Sequence, residues 1–366
     1  MTNAEIFQLV CQILLLDEQP GLAENIEQKL SSNDLNIRKL ILLSSNHLIL
    51  STVCRQLKEA NLFVHFSNEF TEHLNDIYHL NTQRNLDILK QIDEINSHLE
   101  KENIEPVYLK GTANLMDGFY KSIGDRLIGD IDFLVKENDY LKTASLLTEL
   151  GYKSKMKNYF AEKDVKHFPA LIREDTTACV EIHRLPVNPE YSKRFNSEMI
   201  FTSKLPIKSK TNCYVPDNRH KLIHTFIHSQ LINQGYNNRL LPLRDIYDFH
   251  LILSRVKKID FFNDIEEHKK AKIFLNNVNY FLNGSSEKKY DKFDPGFRFF
   301  NQHNWLINHP NFQKRFYTYV KIKFLIFKKL PSLFLSKSLF MSLINRIFSF
   351  SWWKYHFTGG LKKYFY

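Results

Sequence analysis

Apolar residues recur every three to four positions through the first hundred residues, which is the period of one face of an α-helix. Gly and Pro, which often interrupt helices, do not occur between Leu22 and Ile104. The clearest stretch with this spacing contains Leu74, Ile77, Tyr78, Ile88, Leu89, Ile92, Ile95 and Leu99. The pattern therefore predicts a helical N-terminal region over residues 1–104.

Short apolar runs replace the helical spacing after residue 104. Val107–Leu109 and Ile131–Val135 are typical of buried strands. Residues 167–173 and 178–185 predict two further strands, joined by a hairpin turn. Helical segments between these strands complete a small unit with a mixed sheet, which we predict over residues 105–210.

Helical spacing returns after Pro216, where Asp217 is a suitable N-terminal cap. We predict a second helical region over residues 211–294 and a separate C-terminal segment over residues 295–366. The predicted fold class is therefore α/β (α+β), with a mixed-sheet core flanked by N- and C-terminal helical regions.

The formal net charge of +10 is concentrated in residues 295–366, which contain 12 Lys or Arg residues and no Asp or Glu. The same segment holds 21 of the 50 aromatic residues. Its apolar stretch from Leu333 to Trp353, with Lys337 and Arg346 inserted, has the composition of an interfacial helix. Three interpretations stay open: a basic subdomain packed on the body, an anionic membrane surface, or nucleic acid as the partner.

The four cysteines are far apart in the chain and form no CxxC pair. This spacing argues against a disulfide framework and favours a reducing compartment. We therefore expect a cytoplasmic protein, with peripheral attachment at the inner face of the membrane as the alternative.

Asp130 and Asp132 begin an apolar strand, and residues two apart on a strand point to the same face. Adjacent carboxylates repel each other unless a cation lies between them. Glu181 occurs in an alternating segment that can form a neighbouring strand. Three such carboxylates predict a site for Mg²⁺, with Mn²⁺ as an alternative, of the kind used in two-metal phosphoryl or nucleotidyl transfer.

Lys110, Gly111 and Thr112 follow the first strand and begin a helix. A glycine there allows close approach of a phosphate, Lys110 adds positive charge and Thr112 adds a hydroxyl. The GxxxxGK[ST] order of a Walker A loop is missing. Arg126 lies four residues before Asp130, where it is a candidate to neutralise a leaving pyrophosphate.

Together these features resemble the nucleotidyltransferase family of uncharacterised bacterial proteins, within the polymerase-beta-like nucleotidyltransferase superfamily. The resemblance covers roughly residues 30 to 255 and excludes the basic tail. The segments that carry it are 107–115, Arg126, 130–135, Leu146-Leu147, Gly151-Tyr152, 180–183, 222–224 with His228, and 243–248.

The resemblance implies divalent-metal-dependent transfer of a nucleoside monophosphate from a nucleoside triphosphate, ATP included. It implies that Asp130, Asp132 and Glu181 are the catalytic metal ligands. The residues expected to bind the nucleotide or its phosphates are Lys110, Gly111, Thr112, Arg126, His224 and Arg244. Arg244 and Asp248 are four residues apart, so a pair within one helix is the simpler interpretation of that arginine.

The acceptor stays open among a glycan, a lipid-linked molecule, RNA and protein. A toxin-like transferase that modifies tRNA is one alternative. A catalytically idle binding module with the same fold is another, although an idle site would have no reason to keep three mutually repelling carboxylates.

Overall fold

A computed structural model describes residues 1–32, 34–154, 166–193, 195–257, 267–282 and 293–329. The apolar stretch predicted within the tail, residues 333–353, lies outside these ranges. Among the helices in these ranges, none combines the length and the apolar character that crossing a bilayer requires.

Helices dominate the described chain. Their bounds are α1 (Asn3–Leu14), α2 (Ala23–Leu30), α3 (Ile37–Asn46), α4 (Leu50–Glu59), α5 (Asn68–Lys101), α6 (Lys110–Met116), α7 (Tyr140–Glu149), α8 (Ser197–Ser203), α9 (Asn218–Phe226), α10 (Gly235–Asn238), α11 (Leu243–Leu253), α12 (His268–Leu282), α13 (Pro295–Asn308) and α14 (Pro310–Phe324). π-Helical turns extend α9 through Ile227–Ile232 and α14 through Leu325–Lys329.

The strands of the described ranges form one seven-stranded mixed sheet in the order β3-β4-β5-β2-β1-β7-β6. Their bounds are β1 (Val107–Tyr108), β2 (Asp130–Leu134), β3 (Lys153–Ser154), β4 (Leu171–Ile172), β5 (Cys179–His183), β6 (Leu205–Pro206) and β7 (Tyr214–Val215). The pairs β2–β5 and β1–β7 are parallel, and the other neighbours are antiparallel.

The predicted mixed sheet and the β4–β5 hairpin are both present. The strand predicted over residues 167–173 is shorter than expected, because regular pairing is confined to Leu171–Ile172. Before it, the chain approaches β5 through an isolated bridge between His167 and His183 and a hydrogen bond from Phe168 N to Ile182 O at 2.8 Å. This irregular approach brings residues 166 and 167 beside the end of β5.

The two larger apolar cores of the described chain lie on either side of the sheet region. One core joins α1–α4 with α9 and α11–α13, and includes the contact of Phe7 with Phe281, whose ring centroids are 4.8 Å apart. The other core joins the sheet with α5, α6 and α7 through residues such as Ile92, Phe133 and Leu147. The helical regions at the two ends of the described chain therefore share one apolar layer.

Helix α5 carries buried amides that hold the loop between α6 and β2. Asn81 donates to Gly124 O at 2.7 Å, and Asn85 donates to Ile123 O at 2.6 Å and to Arg126 O at 2.7 Å. A buried amide without such partners would be costly, so these bonds fix the loop against the helix. The loop in turn delivers Arg126 to the site described below.

Substitution of Gly124 by Ala should destabilise the fold by about 1–3 kcal/mol, because the loop has no space for a side chain there. A Cβ at Gly124 would lie 2.2 Å from Thr82 Oγ1 and 2.8 Å from the Tyr78 ring. The measurement is the free energy of unfolding in urea. Gly21→Ala is the matched control, since nothing lies within 4 Å of a Cβ there. Equal stability of the two variants would contradict the packing described for the loop.

Candidate active site

Two predicted site residues lie directly opposite each other in the sheet. β2 and β5 pair in parallel with Asp132 in register with Glu181. Both side chains therefore project from the same face. Asp132 is buried and Glu181 is partly buried, so the two carboxylates meet where water screens their repulsion poorly.

Lys110 and His183 offset this negative charge. Lys110 Nζ lies 2.5 Å from Asp132 Oδ1 and 3.8 Å from Glu181 Oε2, and His183 Nε2 lies 2.9 Å from the same Asp132 oxygen. Burial raises the pKa of Asp132, but the Lys110 ammonium and His183 outweigh it and hold that pKa well below its usual range. Burial lowers the pKa of Lys110, yet Asp132 and Glu181 raise it overall. The pair is therefore an ion pair at neutral pH.

Asp132, Glu181 and His183 form a group whose ligand atoms all lie within 4.8 Å of one another. The donors fit a divalent cation, because carboxylate oxygens suit Mg²⁺ and Mn²⁺ and an imidazole nitrogen is a further ligand for transition ions. His183 Nδ1 lies 3.3 Å from Leu185 O. That carbonyl can accept Nδ1–H and so orient Nε2 toward a cation.

Asp130 lies outside this group of three. Its Oδ1 accepts a hydrogen bond from the Cys179 thiol at 2.6 Å, and the residue is exposed at the start of β2. Asp130 still shares the strand face of Asp132, two residues further on. Its role as a metal ligand stays a prediction.

The turn after β1 has an unusual backbone. Lys110 has a φ of +54°, in the left-handed region that residues with a side chain seldom adopt. At Gly111, a Cβ would lie 3.0 Å from Arg126 Nη2 and 3.2 Å from Ile128 Cδ1. The glycine thus makes room for a guanidinium. Thr112 is buried, and its hydroxyl donates to Asp130 O at 3.0 Å.

Arg126 forms a buried ion pair with Asp248 of α11. Its Nη2 lies 2.9 Å and its Nε 3.1 Å from Asp248 Oδ2, and both residues are buried. Tyr120 also donates to this carboxylate, at 2.7 Å. Asp248 therefore pairs with Arg126, 122 residues away in the chain, and not with Arg244 of its own helix as expected. Arg244 contacts Asp245 instead, at 3.3 Å. Phosphate binding by Arg126 stays a prediction that would require the guanidinium to turn from Asp248.

A polar cavity of about 440 Å³ opens between the sheet and helices α9–α11. All of the predicted site residues except Thr112 line it. The members of that set are Lys110, Gly111, Arg126, Asp130, Asp132, Glu181, His224 and Arg244. The structure therefore brings together residues that are separated by more than a hundred positions in the chain.

Histidines from one helix face line the far wall of the cavity. His224 and His228 both reach it, whereas His220 turns to Ser203, 2.8 Å from its Oγ. Burial and the positive charge of Lys110 lower the pKa of His224 to about 3, so its imidazole is neutral. His224 Nε2 is buried and has no hydrogen-bond partner among the described residues.

Residues 33–284, more than half of the chain, match the sequence model of a protein family described as uncharacterised nucleotidyltransferase. The chain belongs to this nucleotidyltransferase family. No curated protein and no solved structure matched the chain in the corresponding searches. The predicted family and the predicted class of enzyme are thereby confirmed, with the acceptor unknown, and the family implies a polymerase-beta-like fold.

Three further residues of the site in this nucleotidyltransferase, His183, Lys166 and His167, were not predicted from its sequence. His183 could have been found, because it lies two positions after Glu181 on the same strand face. Lys166 and His167 line the cavity from the irregular segment before β4, which has no repeating pattern. Burial and repulsion from His183 lower the pKa of His167 to about 4. Burial and repulsion from Lys110 lower the pKa of Lys166 to about 8.

Replacing Asp248 by Asn should lower the free energy of unfolding by about 3–5 kcal/mol, because it leaves the buried Arg126 charge without its partner. Urea titration of the variant measures the loss. Asp87→Asn is the control, since the Asp87–Lys90 pair is exposed and we expect a change within about 0.5 kcal/mol. A double variant, Arg126→Met with Asp248→Leu, should recover most of the loss. If Asp248→Asn lowers the free energy of unfolding no more than Asp87→Asn does, the buried ion pair is refuted.

His183→Gln should weaken Mn²⁺ binding at least about 10-fold, because the variant removes one ligand and the group that orients Asp132. Titration followed by electron paramagnetic resonance of free Mn²⁺ measures the affinity. Asp87→Asn again serves as a control for loss of a carboxylate elsewhere. Unchanged binding in His183→Gln, with a loss in Asp130→Asn, would move the cation to the Asp130–Asp132 side.

Proposed function

We propose that the protein transfers a nucleoside monophosphate from a nucleoside triphosphate to an acceptor hydroxyl in a polymerase-beta-like core. The observation that carries this proposal is the register of Asp132 and Glu181 in adjacent parallel strands, beside His183, at the wall of a polar cavity. The family supports a nucleoside triphosphate as the donor. Mg²⁺ is the proposed metal, with Mn²⁺ as the alternative.

Asp132, Glu181 and His183 would hold the divalent cation, and Asp130 would extend the site toward the two-metal arrangement expected from the sequence. When bound, such a cation supplies neutralisation of phosphate charge and lowers the pKa of the acceptor hydroxyl. Lys110 adds a fixed positive charge, because its neighbours keep it protonated. Positioning and electrostatics therefore provide most of the catalysis.

The reaction makes one bond and breaks one bond. The acceptor oxygen binds the α-phosphorus, and the bond from that phosphorus to the oxygen bridging the β-phosphate breaks. Pyrophosphate leaves with the bonding electron pair. Burial raises the pKa of Glu181, but nearby His183, whose Nε2 lies 3.6 Å from Glu181 Oε2, outweighs burial and lowers that pKa overall. The Glu181 carboxylate is therefore ionised and is proposed to receive the acceptor proton.

The main chain at Gly111 and Thr112, with His224 and Arg244 on the opposite wall, is proposed to contact the nucleotide. Neutral His224 can donate its unpartnered Nε2–H to a phosphate or ribose oxygen. Arg244 has a guanidinium suited to phosphate oxygens. These roles rest on the shared cavity and on the resemblance stated above.

The end of the described chain supports attachment to an anionic membrane as one setting for the reaction. α14 and the π-helical turn after it expose Tyr319, Ile322 and Phe327, with Lys323 in the same segment. Exposed apolar and basic groups on one helix favour an interfacial position. A lipid-linked or glycan acceptor would fit that setting.

Label transfer from α-labelled nucleoside triphosphates tests the proposed function. Purified protein is incubated with Mg²⁺, each nucleoside triphosphate in turn and a cell extract, and the extract is then separated into RNA, protein, lipid and glycan fractions. Asp132→Asn should reduce transfer about 100-fold or more, because the cation loses its central ligand. Asp87→Asn, a surface carboxylate, should transfer at the rate of the unmodified protein.

The fraction that gains label identifies the acceptor class. Label in tRNA alone would select the toxin-like alternative, and label in lipid would select the membrane setting. Nucleotide binding without transfer in any fraction would select the idle binding module. Equal transfer by Asp132→Asn and the unmodified protein would overturn the site assigned above.

A further inference from the structure

The cavity must supply positive charge if it binds a triphosphate, because phosphate oxygens are held in proteins chiefly by Lys, Arg and metal ions. Among the described residues, five cationic side chains line it: Lys110, Arg126, Lys166, Lys221 and Arg244. A ligand can use most readily those charges that are not already paired with a carboxylate of the protein.

Three of the five are engaged by carboxylates. Lys110 is paired with Asp132, Arg126 with Asp248, and Lys221 with Asp117. Each of these carboxylates would lose its cationic partner if that side chain turned to a ligand. Arg244 has one long contact, from Nε to Asp245 at 3.3 Å, and its exposed share of 26% leaves the guanidinium accessible.

Lys166 differs from the other lysines in the cavity. Among the described residues, no carboxylate lies within ion-pairing distance of its ammonium, and no hydrogen bond from Nζ is present. The side chain is nevertheless half-buried. A half-buried ammonium that no carboxylate contacts directly is poorly compensated in the free protein and gains from an anionic ligand.

The backbone holds Lys166 beside the carboxylate group. Its carbonyl accepts hydrogen bonds from Arg184 N at 3.0 Å and Leu185 N at 3.1 Å, immediately after β5. The next residue, His167, forms the bridge with His183. Lys166 is therefore fixed next to the strand that carries Glu181 and His183, although it lies in an irregular segment.

We propose that Lys166 is a phosphate-binding residue of the nucleotide site, where its ammonium pairs with the phosphate chain of the nucleoside triphosphate. This inference rests on the proposed function and assigns to Lys166 the counter-charge role that the sequence suggests for Arg126. The unpartnered Nε2 of buried His224 is a second unsatisfied group in the same cavity. Both groups gain a partner when an anion enters.

Binding of inorganic tripolyphosphate and of the four nucleoside triphosphates, each with Mg²⁺, tests this proposal by isothermal titration calorimetry. Lys166→Met should weaken binding of both kinds of ligand about 10- to 100-fold, the usual effect of losing a charged hydrogen bond. Lys166→Arg keeps the charge and should restore most of the affinity. Lys90→Met, at an exposed surface position, makes the same change in net charge and should bind as the unmodified protein does.

Thermal unfolding of the same variants separates binding from folding. Without ligand, Lys166→Met should melt at or above the temperature of the unmodified protein, because it removes an unpaired and partly buried charge. With tripolyphosphate, the ligand-induced rise in melting temperature should shrink. Unchanged affinity in Lys166→Met, or a loss of affinity accompanied by an equal loss of stability, would overturn the role of Lys166. Failure of the unmodified protein to bind any triphosphate would instead overturn the proposed function as well.

Discussion

Repulsion between Asp132 and Glu181 is the constraint on which the rest of the site depends. Parallel pairing of β2 and β5 places the two carboxylates opposite each other where water is scarce. Such a pair would protonate or move apart if no positive charge were present. Lys110 and His183 supply the compensating contacts at 2.5 Å and 2.9 Å from Asp132. Lys110 also accepts a left-handed backbone conformation, which costs of the order of 1–3 kcal/mol.

The opposite wall is tied to this arrangement by a second buried charge pair. Arg126 belongs to the loop that α5 holds through Asn85, and Asp248 belongs to α11 in the other core. The pair therefore connects the loop before β2 with the helices that carry His224 and Arg244. Gly111 completes the connection, because its lack of a Cβ lets the Arg126 guanidinium pass at close range. The loop before β2 and the helices α9 and α11 are thus held in place around one cavity.

Local pattern could predict part of the site and not the rest. The alternation of β2 and β5 places Asp130 with Asp132, and Glu181 with His183, on shared faces, so both pairs could be read from the chain. The partner of Arg126 lies 122 residues away, and no local spacing indicates it. Lys166 lies in a segment without periodicity, and only its contacts with the residues after β5 place it at the cavity. The positions of helices can be predicted from the spacing of nearby residues. Ion pairs between distant segments depend on how the chain packs, which local spacing does not reveal.

Under the proposed function, the position of Lys110 would link metal binding to nucleotide binding. Its ammonium lies among the same oxygen atoms that would hold a divalent cation, so the two positive charges compete for Asp132 and Glu181. If a cation were bound by Asp132 and Glu181, Lys110 would lose part of its counter-charge, and a phosphate chain in the same cavity would supply a replacement. Under the proposed function, each ligand would offset a cost of binding the other, so the affinities of metal and nucleotide would be positively coupled. Lys166 forms no ion pair with a carboxylate among the described residues, so under the proposal its ammonium would remain available to the phosphates whether or not the cation is bound.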